Sequence, residues 1–436
     1  IEENRCLQTA SRGRTNDLTV IPSPYLEGYF DSMLTEPYDF HASQETHRGC
    51  PYSCTFCDWG SAVFTKVRPF SDERLHRELE WFGKNQIELL YNCDANYGLL
   101  KRDLDLTKKM VETKQRFGFP QQFRAAYAKN SNSKIFEISK LLNNSGMSKG
   151  LTLSFQSLDG NTLAVIKRSN IKVNDFENLL KLYRSEGIAT YTEIIMGLPG
   201  ESYDSFADGI EQLLEAGQHD GLNIYVCILL KNSEMADPEY VSRHGIRAVR
   251  TPVLLAHSSR SEDQVIEYSD IVVETKTMPG DALKRTFLYS WTVQAFHNMG
   301  LTQYLSLFWR SQFGLRYRLF YERLMEFASD HPGSLLGSEF ENISRIIDEA
   351  VEGGEWGVVL PKFGDVVWPT EEATFLTLVC EKDVFYAEMY QFLNHLLSID
   401  RGNDSGNLDD ERLNQLLTYQ KNMIIDPFTP PQFTID

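Results

Sequence analysis

Arg48-Gly49-Cys50-Pro51-Tyr52-Ser53-Cys54-Thr55-Phe56-Cys57-Asp58-Trp59-Gly60 places three of the chain's seven cysteines in a C-x3-C-x2-C spacing, the tightest cysteine group in the sequence. Structural zinc asks for four Cys or His ligands in paired clusters, and no second C-x2-C or H-x3-H pair is present. His47 precedes the triad, where it would be a strained fourth ligand. A disulfide framework belongs to small secreted chains, whereas this chain has 436 residues. Zinc and disulfide chemistry therefore both fit the run poorly.

The same run resembles the signature of the radical S-adenosylmethionine (SAM) enzymes. The resemblance implies that Cys50, Cys54 and Cys57 hold a [4Fe–4S] cluster. Thiolate sulfur is the usual protein ligand of such clusters, and four ligands would fill the four irons. Three leave one iron open, and in this family the amino and carboxylate groups of SAM chelate it. Phe56 also matches, since the family usually has an aromatic residue just before the third cysteine, its backbone reaching the adenine.

Length is sufficient for a sizeable core in two or three domains. The formal charge of −18 argues against a nucleic-acid partner, because phosphate binding needs a concentrated basic surface. Arg310, Arg316 and Arg318 read as a solvated helix face. Seven cysteines without a paired pattern fit a reducing cytoplasm; Cys6, Cys93, Cys227 and Cys380 read as core or incidental thiols. No stretch is long and apolar enough to span a membrane.

Residues 1–40 read as an arm and linker. Ile1 is not an initiator methionine and no signal-peptide pattern follows it, which leaves a processed chain or a piece of a longer one. In Ile21-Pro22-Ser23-Pro24-Tyr25-Leu26 two prolines impose an extended course. This stretch resembles the linker that joins an upstream cobalamin-binding domain to the radical domain in one subgroup of the superfamily. The D-x-H-x-x-G stretch that would ligate cobalamin is absent from these 436 residues.

Between residues 41 and 235 short apolar runs alternate with amphipathic ones. Residues 87–93, 123–128, 151–155, 190–196 and 222–230 read as strands, and 71–85, 103–117, 133–144, 173–186 and 203–216 as helices. Strands separated by helices at this spacing predict parallel βαβ units. With a first strand leading into Cys50 the count is six. An open flavodoxin-like sheet shares that periodicity; the resemblance implies instead a partial (β/α)6 barrel of the radical SAM type. Polar groups follow each strand, as in α/β barrels whose chemistry lies at the strands' carboxyl ends: Cys50, Asp94 and Asn96, Lys129 and Asn130, Gln156 and Ser157, the turn Gly197-Leu198-Pro199-Gly200-Glu201, then Lys231 and Asn232.

The resemblance assigns these positions residue by residue. Asp94 and Asn96 stand where the family has its Gly-Gly-Glu motif, which meets the SAM amino group; acid and amide both accept from an ammonium. Gln156, Arg168 and Glu193 follow the spacing of the coproporphyrinogen-oxidase and methylthiotransferase branch. Their equivalents there are an amide near the ribose, an Arg on the SAM carboxylate and an acid at the ribose hydroxyls. An Arg fork suits a carboxylate because it makes two parallel charged hydrogen bonds, although Arg168 also reads as the surface end of a 163–167 helix. Lys129 stands where that branch often has an acid. Glu193 lies in an apolar strand, where an unpaired carboxylate is costly. Ser154 shares a face with Gln156, the Gly197 turn allows close backbone approach to adenosine, and Leu230 closes the sixth strand; all three join the cofactor-binding candidates.

Residues 236–400 read as a connector, with strands at 265–267 and 271–274, and a mainly helical C-terminal domain. Its aromatic residues, Phe287, Tyr289, Trp291, Phe296, Tyr304, Phe308 and Trp309, read first as core and second as a substrate pocket over the barrel mouth. Further helices are expected over 336–352 and 383–398, a loose linker over 401–412, and a tail to residue 436. The resemblance implies an enzyme that reductively cleaves SAM to a 5′-deoxyadenosyl radical, supplied with electrons by a flavodoxin or ferredoxin type of donor. Within it the linker points to a cobalamin-dependent methyltransferase. A cobalamin-independent enzyme on a small metabolite or peptide, and a non-catalytic iron–sulfur protein, stay open as alternatives.

Overall fold

The computed structural model describes residues 15, 17–59, 66–129, 133–148, 150–219, 221–259, 265–400 and 409–424; Cys6, Gly60 and Asn130 lie outside them. The chain divides into two compact units, Ile1–Tyr52 with Val63–Lys149, and Ser53–Ala62 with Gly150–Asp436. Cys50 belongs to the first, Cys54 and Cys57 to the second.

In the first unit β1 (His41–Gln44), β4 (Leu89–Tyr97) and β5 (Gln122–Tyr127) form a parallel sheet in the order β1-β4-β5. A short antiparallel pair, β2 (His47–Arg48) and β3 (Arg68–Pro69), lies in the chain between β1 and β4. Helix α1 (Asp72–Lys84) starts where the Ser71 hydroxyl accepts from the Arg74 amide, with Asp72 and Glu73 in the first turn and Lys84 in the last. Acids at the amino end and a base at the carboxyl end complement the helix dipole. Leu75, Leu79 and Phe82 recur at helical spacing and are buried. With α2 (Asp103–Phe117) and α3 (Ser133–Asn144), α1 supplies a core in which Phe82, Leu90, Met110, Phe123 and Ile138 pack together.

In the second unit β6 (Leu151–Gln156), β7 (Thr190–Met196) and β8 (Leu222–Val226) make another parallel sheet in that order. Strict alternation buries Leu151, Leu153 and Phe155 of β6 and Thr190, Thr192, Ile194 and Met196 of β7. Ser154, Gln156 and Glu193 stand on the opposite face, Ser154 directly beside Glu193 in register. Helices α4 (Gly160–Val165), α5 (Val173–Ser185) and α6 (Tyr203–Glu215) connect and flank these strands. Phe155 meets Phe176 of α5 edge-on at 4.7 Å between ring centres.

The sixth strand ends earlier than expected. From Cys227 onward the chain leaves β8 to pair with a hairpin: Val272 donates to the Cys227 carbonyl and Leu229 to the Asp270 carbonyl. That hairpin is β9 (Arg247–Pro252) with β10 (Tyr268–Glu274). The segment 265–267 expected as a strand has no strand pairing, and β9 is the partner that apolar patterning missed. The short α7 (Pro238–His244) precedes it. Next come α8 (Gly280–Thr292), a π-helical turn (Val293–Asn298), α9 (Gln303–Phe313), α10 (Tyr317–Asp330) and α11 (Leu335–Ala350). A small hairpin, β11 (Gly357–Val359) with β12 (Val367–Pro369), leads to α12 (Thr370–Cys380) and α13 (Lys382–Asp400).

Phe287, Tyr289, Trp291, Phe296 and Trp309 are all buried, and Phe296 packs on Trp291, Phe340 and Phe385. Those aromatics are core. Of the expected solvated face, Arg316 is exposed, Arg310 partly so and Arg318 largely covered, and all three are ion-paired: Arg318 binds Asp204 at 2.5 Å, Asp208 at 3.0 Å and Glu322 at 3.2 Å, Arg316 binds Asp208 at 2.9 Å, and Arg310 pairs with Glu215. These pairs join α6 to α9 and α10. Of the loose linker expected over 401–412, residues 401–408 lie outside the described residues, and its last three belong to α14 (Asp410–Met423), which the Asp409 carboxylate caps by accepting from the Arg412 amide.

Candidate cofactor site

In the first unit the carboxyl half of β4 turns alternate polar side chains inward, and Asn92, Asp94 and Asn96 are each no more than 2% exposed. Asp94 is the centre of a closed network. Its Oδ1 accepts from the amides of Thr46 (2.7 Å) and His47 (3.1 Å). Its Oδ2 accepts from the Thr46 hydroxyl and from Asn92 Nδ2 (3.2 Å), and lies 3.1 Å from His47 Nδ1. Burial alone would push its carboxyl upward, yet the hydrogen bonds and charge of His47 and the Thr46 bond hold it below the ordinary value. With both oxygens so engaged, Asp94 secures the strand that leads into Cys50 and offers no free acceptor to a ligand.

Asn96 differs. Its Nδ2 donates to Cys50 Sγ at 3.2 Å, while its buried Oδ1 has no partner in the protein. Cys50 itself is 6% exposed. Nearby, Lys129 places its ammonium 4.6 Å from the centre of the Tyr52 ring.

In the second unit the cysteine loop is tied down through its backbone. Cys57 donates its amide to the Cys54 carbonyl, Thr55 donates to Ile166, and Met235 donates to Thr55. The Thr55 hydroxyl also shares a 3.2 Å hydrogen bond with Tyr240. Phe56 packs against the buried cluster that contains Ile166, Leu198 and Met235.

Arg168 follows α4 rather than extending it, because Lys167 takes a positive φ of 54°; the expected 163–167 helix lies earlier, at Gly160–Val165. Only 8% of Arg168 is exposed. Its Nε donates to Asn170 Oδ1 at 2.9 Å, one terminal nitrogen donates to the Ser154 carbonyl, and Cys54 lies close enough to act on the guanidinium. Burial lowers its basicity, and Cys54, Glu193 and Cys57 oppose that effect by their charge.

On the open face of the second sheet the Ser154 hydroxyl donates to Glu193 Oε2 at 2.5 Å, which answers the cost of a carboxylate within a strand. Gln156 ends β6 with a left-handed φ of 68°, where its pairing with β7 slips. Gly197 and Gly200 have φ of 88° and 96°. A Cβ on Gly200 would sit 3.2 Å from the Thr162 backbone and from Val165, so this turn is glycine-rich partly to admit α4. Leu230 is 40% exposed, beyond the shortened β8.

Glu201 carries a signal that spacing alone did not reveal. It is 1% exposed, accepts from the Ser157 hydroxyl at 2.6 Å and leaves Oε2 unpartnered. Burial pushes its carboxyl from 4.5 up to about 8, with Ser157 opposing. The neutral acid's stabilisation is full below pH 4.5 and is lost as pH rises toward 8, on the order of 1.4 kcal/mol per pH unit. Glu201→Gln keeps the acceptor and removes the titration. Urea unfolding at pH 5 and pH 8 should show the variant gaining on the parent at the higher pH; parallel stabilities at both would refute the buried neutral acid.

Among the described residues no three His, Cys, Asp or Glu side chains converge on a single-ion site. A four-iron cluster asks less convergence, because each thiolate binds a different iron.

Residues 45–213 match the Radical SAM superfamily model. A cobalamin-dependent radical SAM methyltransferase, TokK of Streptomyces tokunonensis, is 35% identical over 428 residues, 94% of this chain and 62% of that protein. The 2-(S-pantetheinyl)-carbapenam-3-carboxylate methyltransferase of Streptantibioticus cattleyicolor is 39% identical over 335 residues, 76% of this chain and 49% of that protein. The chain thus spans 49% to 62% of the length of these relatives. Among solved structures, the methyltransferase TsrM of Kitasatospora setae with cobalamin and a [4Fe–4S] cluster bound aligns at a TM-score of 0.40 and 18% identity, over 48% of this chain and 39% of that one. No described helix is long and apolar enough to cross a membrane. Residues 45–213 are therefore a radical SAM domain.

Proposed function

We propose that this chain is the radical-generating part of a cobalamin-dependent methyltransferase, with Cys50, Cys54 and Cys57 as the ligands of a [4Fe–4S] cluster. The observation that carries the reading is that all three cysteines fall inside the matched residues 45–213, while sequence similarity to a cobalamin-dependent methyltransferase continues over 94% of the chain. The fold that goes with this reading is a partial (β/α)6 barrel at 41–235 with a helical domain at 236–400, and the three parallel strands in each unit support it.

The residues present suit the cofactors. When bound, the cluster supplies the electron that cleaves SAM to methionine and a 5′-deoxyadenosyl radical, and cobalamin supplies methyl-transfer chemistry. Asn96 Oδ1, buried and unpartnered, accepts from the SAM ammonium in place of the expected Asp94. Arg168 retains N–H groups beyond its protein bonds for a carboxylate. Glu193, steadied by Ser154, would take the ribose hydroxyls together with Gln156. The turn at Gly197 would admit the adenosine, and Phe56 holds the loop by its apolar packing. Leu230, exposed and off the strand, is the weakest of these assignments.

The reading includes a reducing, cytoplasmic setting, an electron donor of the flavodoxin or ferredoxin type, and a corrinoid-binding domain supplied from outside these residues. Anaerobic reconstitution tests it. The expected result is about four irons and four sulfides per chain, SAM cleavage with dithionite, and weak or no cobalamin retention by this chain alone. Stoichiometric, tight cobalamin binding by these residues would contradict the separate corrinoid domain, and SAM turnover without iron would remove the cluster.

A further inference from the structure

We infer that Asn96 and Arg168 are positioning residues for the cluster's own thiolates and set how readily the cluster accepts an electron. The inference rests on the cluster reading above and concerns a property nothing else assigns. Two of the three proposed ligands already stand beside a side-chain donor: Asn96 Nδ2 lies 3.2 Å from Cys50 Sγ, and Cys54 lies close enough to the Arg168 guanidinium for the charge of each to act on the other. All four residues are buried, with exposures of 1%, 6%, 8% and 3% for Asn96, Cys50, Arg168 and Cys54.

Neither donor is free to swing away. Asn96 comes from the end of β4. Arg168 is pinned by the Ser154 carbonyl and by Asn170 Oδ1, and Asn170 is itself fixed through Nδ2 to the carbonyls of Phe155 (3.0 Å) and Ser157 (2.7 Å). A guanidinium fixed in this way on a strand-end carbonyl, beside a cysteine of the triad, does more than await a SAM carboxylate.

The physical effect has a definite sign. One-electron reduction adds negative charge that spreads onto the coordinating sulfurs. A hydrogen-bond donor on a thiolate stabilises that charge, and a full positive charge at low local dielectric stabilises it more. Both residues therefore raise the cluster's reduction potential, Arg168 more than Asn96. The electron comes from the external low-potential donor; no proton or bond changes hands.

The test is a redox titration of the reconstituted chain without SAM, followed by electron paramagnetic resonance, so that any contact with SAM does not enter. Arg168→Gln should lower the reduced-to-oxidised ratio at a fixed potential by tenfold or more, about 59 mV for a one-electron couple. Asn96→Leu should lower it by less, and Arg168→Lys should restore most of the charge effect. Unchanged midpoints in Arg168→Gln and Asn96→Leu, with iron and sulfide intact, would overturn the inference. So would loss of the cluster from all three folded variants, because the residues would then serve assembly rather than potential. Failure of the unsubstituted chain to take up iron would instead strike the cluster reading itself.

Discussion

Replacing Cys50, Cys54 or Cys57 with Ala is expected to remove the brown absorbance, bring iron and sulfide toward zero and abolish SAM cleavage. In the proposed cluster each thiolate would hold a separate iron, so two cannot substitute for three. The loss should not come from unfolding. Cys54 and Cys57 are held through the backbone bonds of their loop, and Ala keeps every one of these. Far-ultraviolet circular dichroism of the iron-free variants should match that of the iron-free parent. Cys93, Cys227 and Cys380 serve as controls. Cys227 is buried, and burial pushes its thiol up to about 12, where a thiolate ligand is disfavoured. If iron survives loss of any triad cysteine, or disappears with one of the controls, the ligand assignment is wrong.

Asp94→Ala is the second large effect, and it falls on folding and cluster assembly together. The substitution strands the Thr46 hydroxyl, two amides and a buried His47 ring whose Nε2 already lacks a partner. Leaving such a buried polar network without its acceptor costs roughly 3–5 kcal/mol, a large part of a typical stability of about 5–15 kcal/mol. Asp94→Asn should recover little, because its amide nitrogen would face donors. The sign with pH is opposite to that of Glu201. Asp94 is held below its ordinary 3.8, so its stabilisation is present at neutral pH and is lost as pH falls through its lowered value. Urea midpoints of the iron-free chain at pH 7, read beside iron content, check the prediction. A change below about 1 kcal/mol with normal iron loading would show that Asp94 is free for a ligand after all.

Much of the domain was legible before any coordinates. The triad is a local feature, readable because its three cysteines fall within eight residues of chain. The strand and helix periods of 2 and 3.6 are likewise local, since each records which side chains alternate toward a core. Hence the five helices expected between residues 71 and 216 appear with ends shifted by no more than two residues. The same logic explains the failures in the C-terminal half. Strand β9, with the charged Arg247 and Arg250, shows no apolar alternation, and α14 follows a polar run that patterning reads as linker.

What a side chain meets depended on register and return of the chain. Sequence alone made Asp94 and Asn96 equivalent, two polar residues just after the second expected strand, whereas both lie within β4. Parallel pairing of His41–Gln44 with Leu89–Asn92 delivers Thr46 and His47 to Asp94, which consumes its acceptors and leaves Asn96 as the residue with an open oxygen. Arg168 lies 114 residues from Cys54 in the chain, and only the docking of the cysteine loop on Ile166 brings that loop beside it. Composition and spacing determined which atoms could bind a cluster. Tertiary structure decided which were already occupied, because a buried donor or acceptor must find a partner wherever the fold provides one.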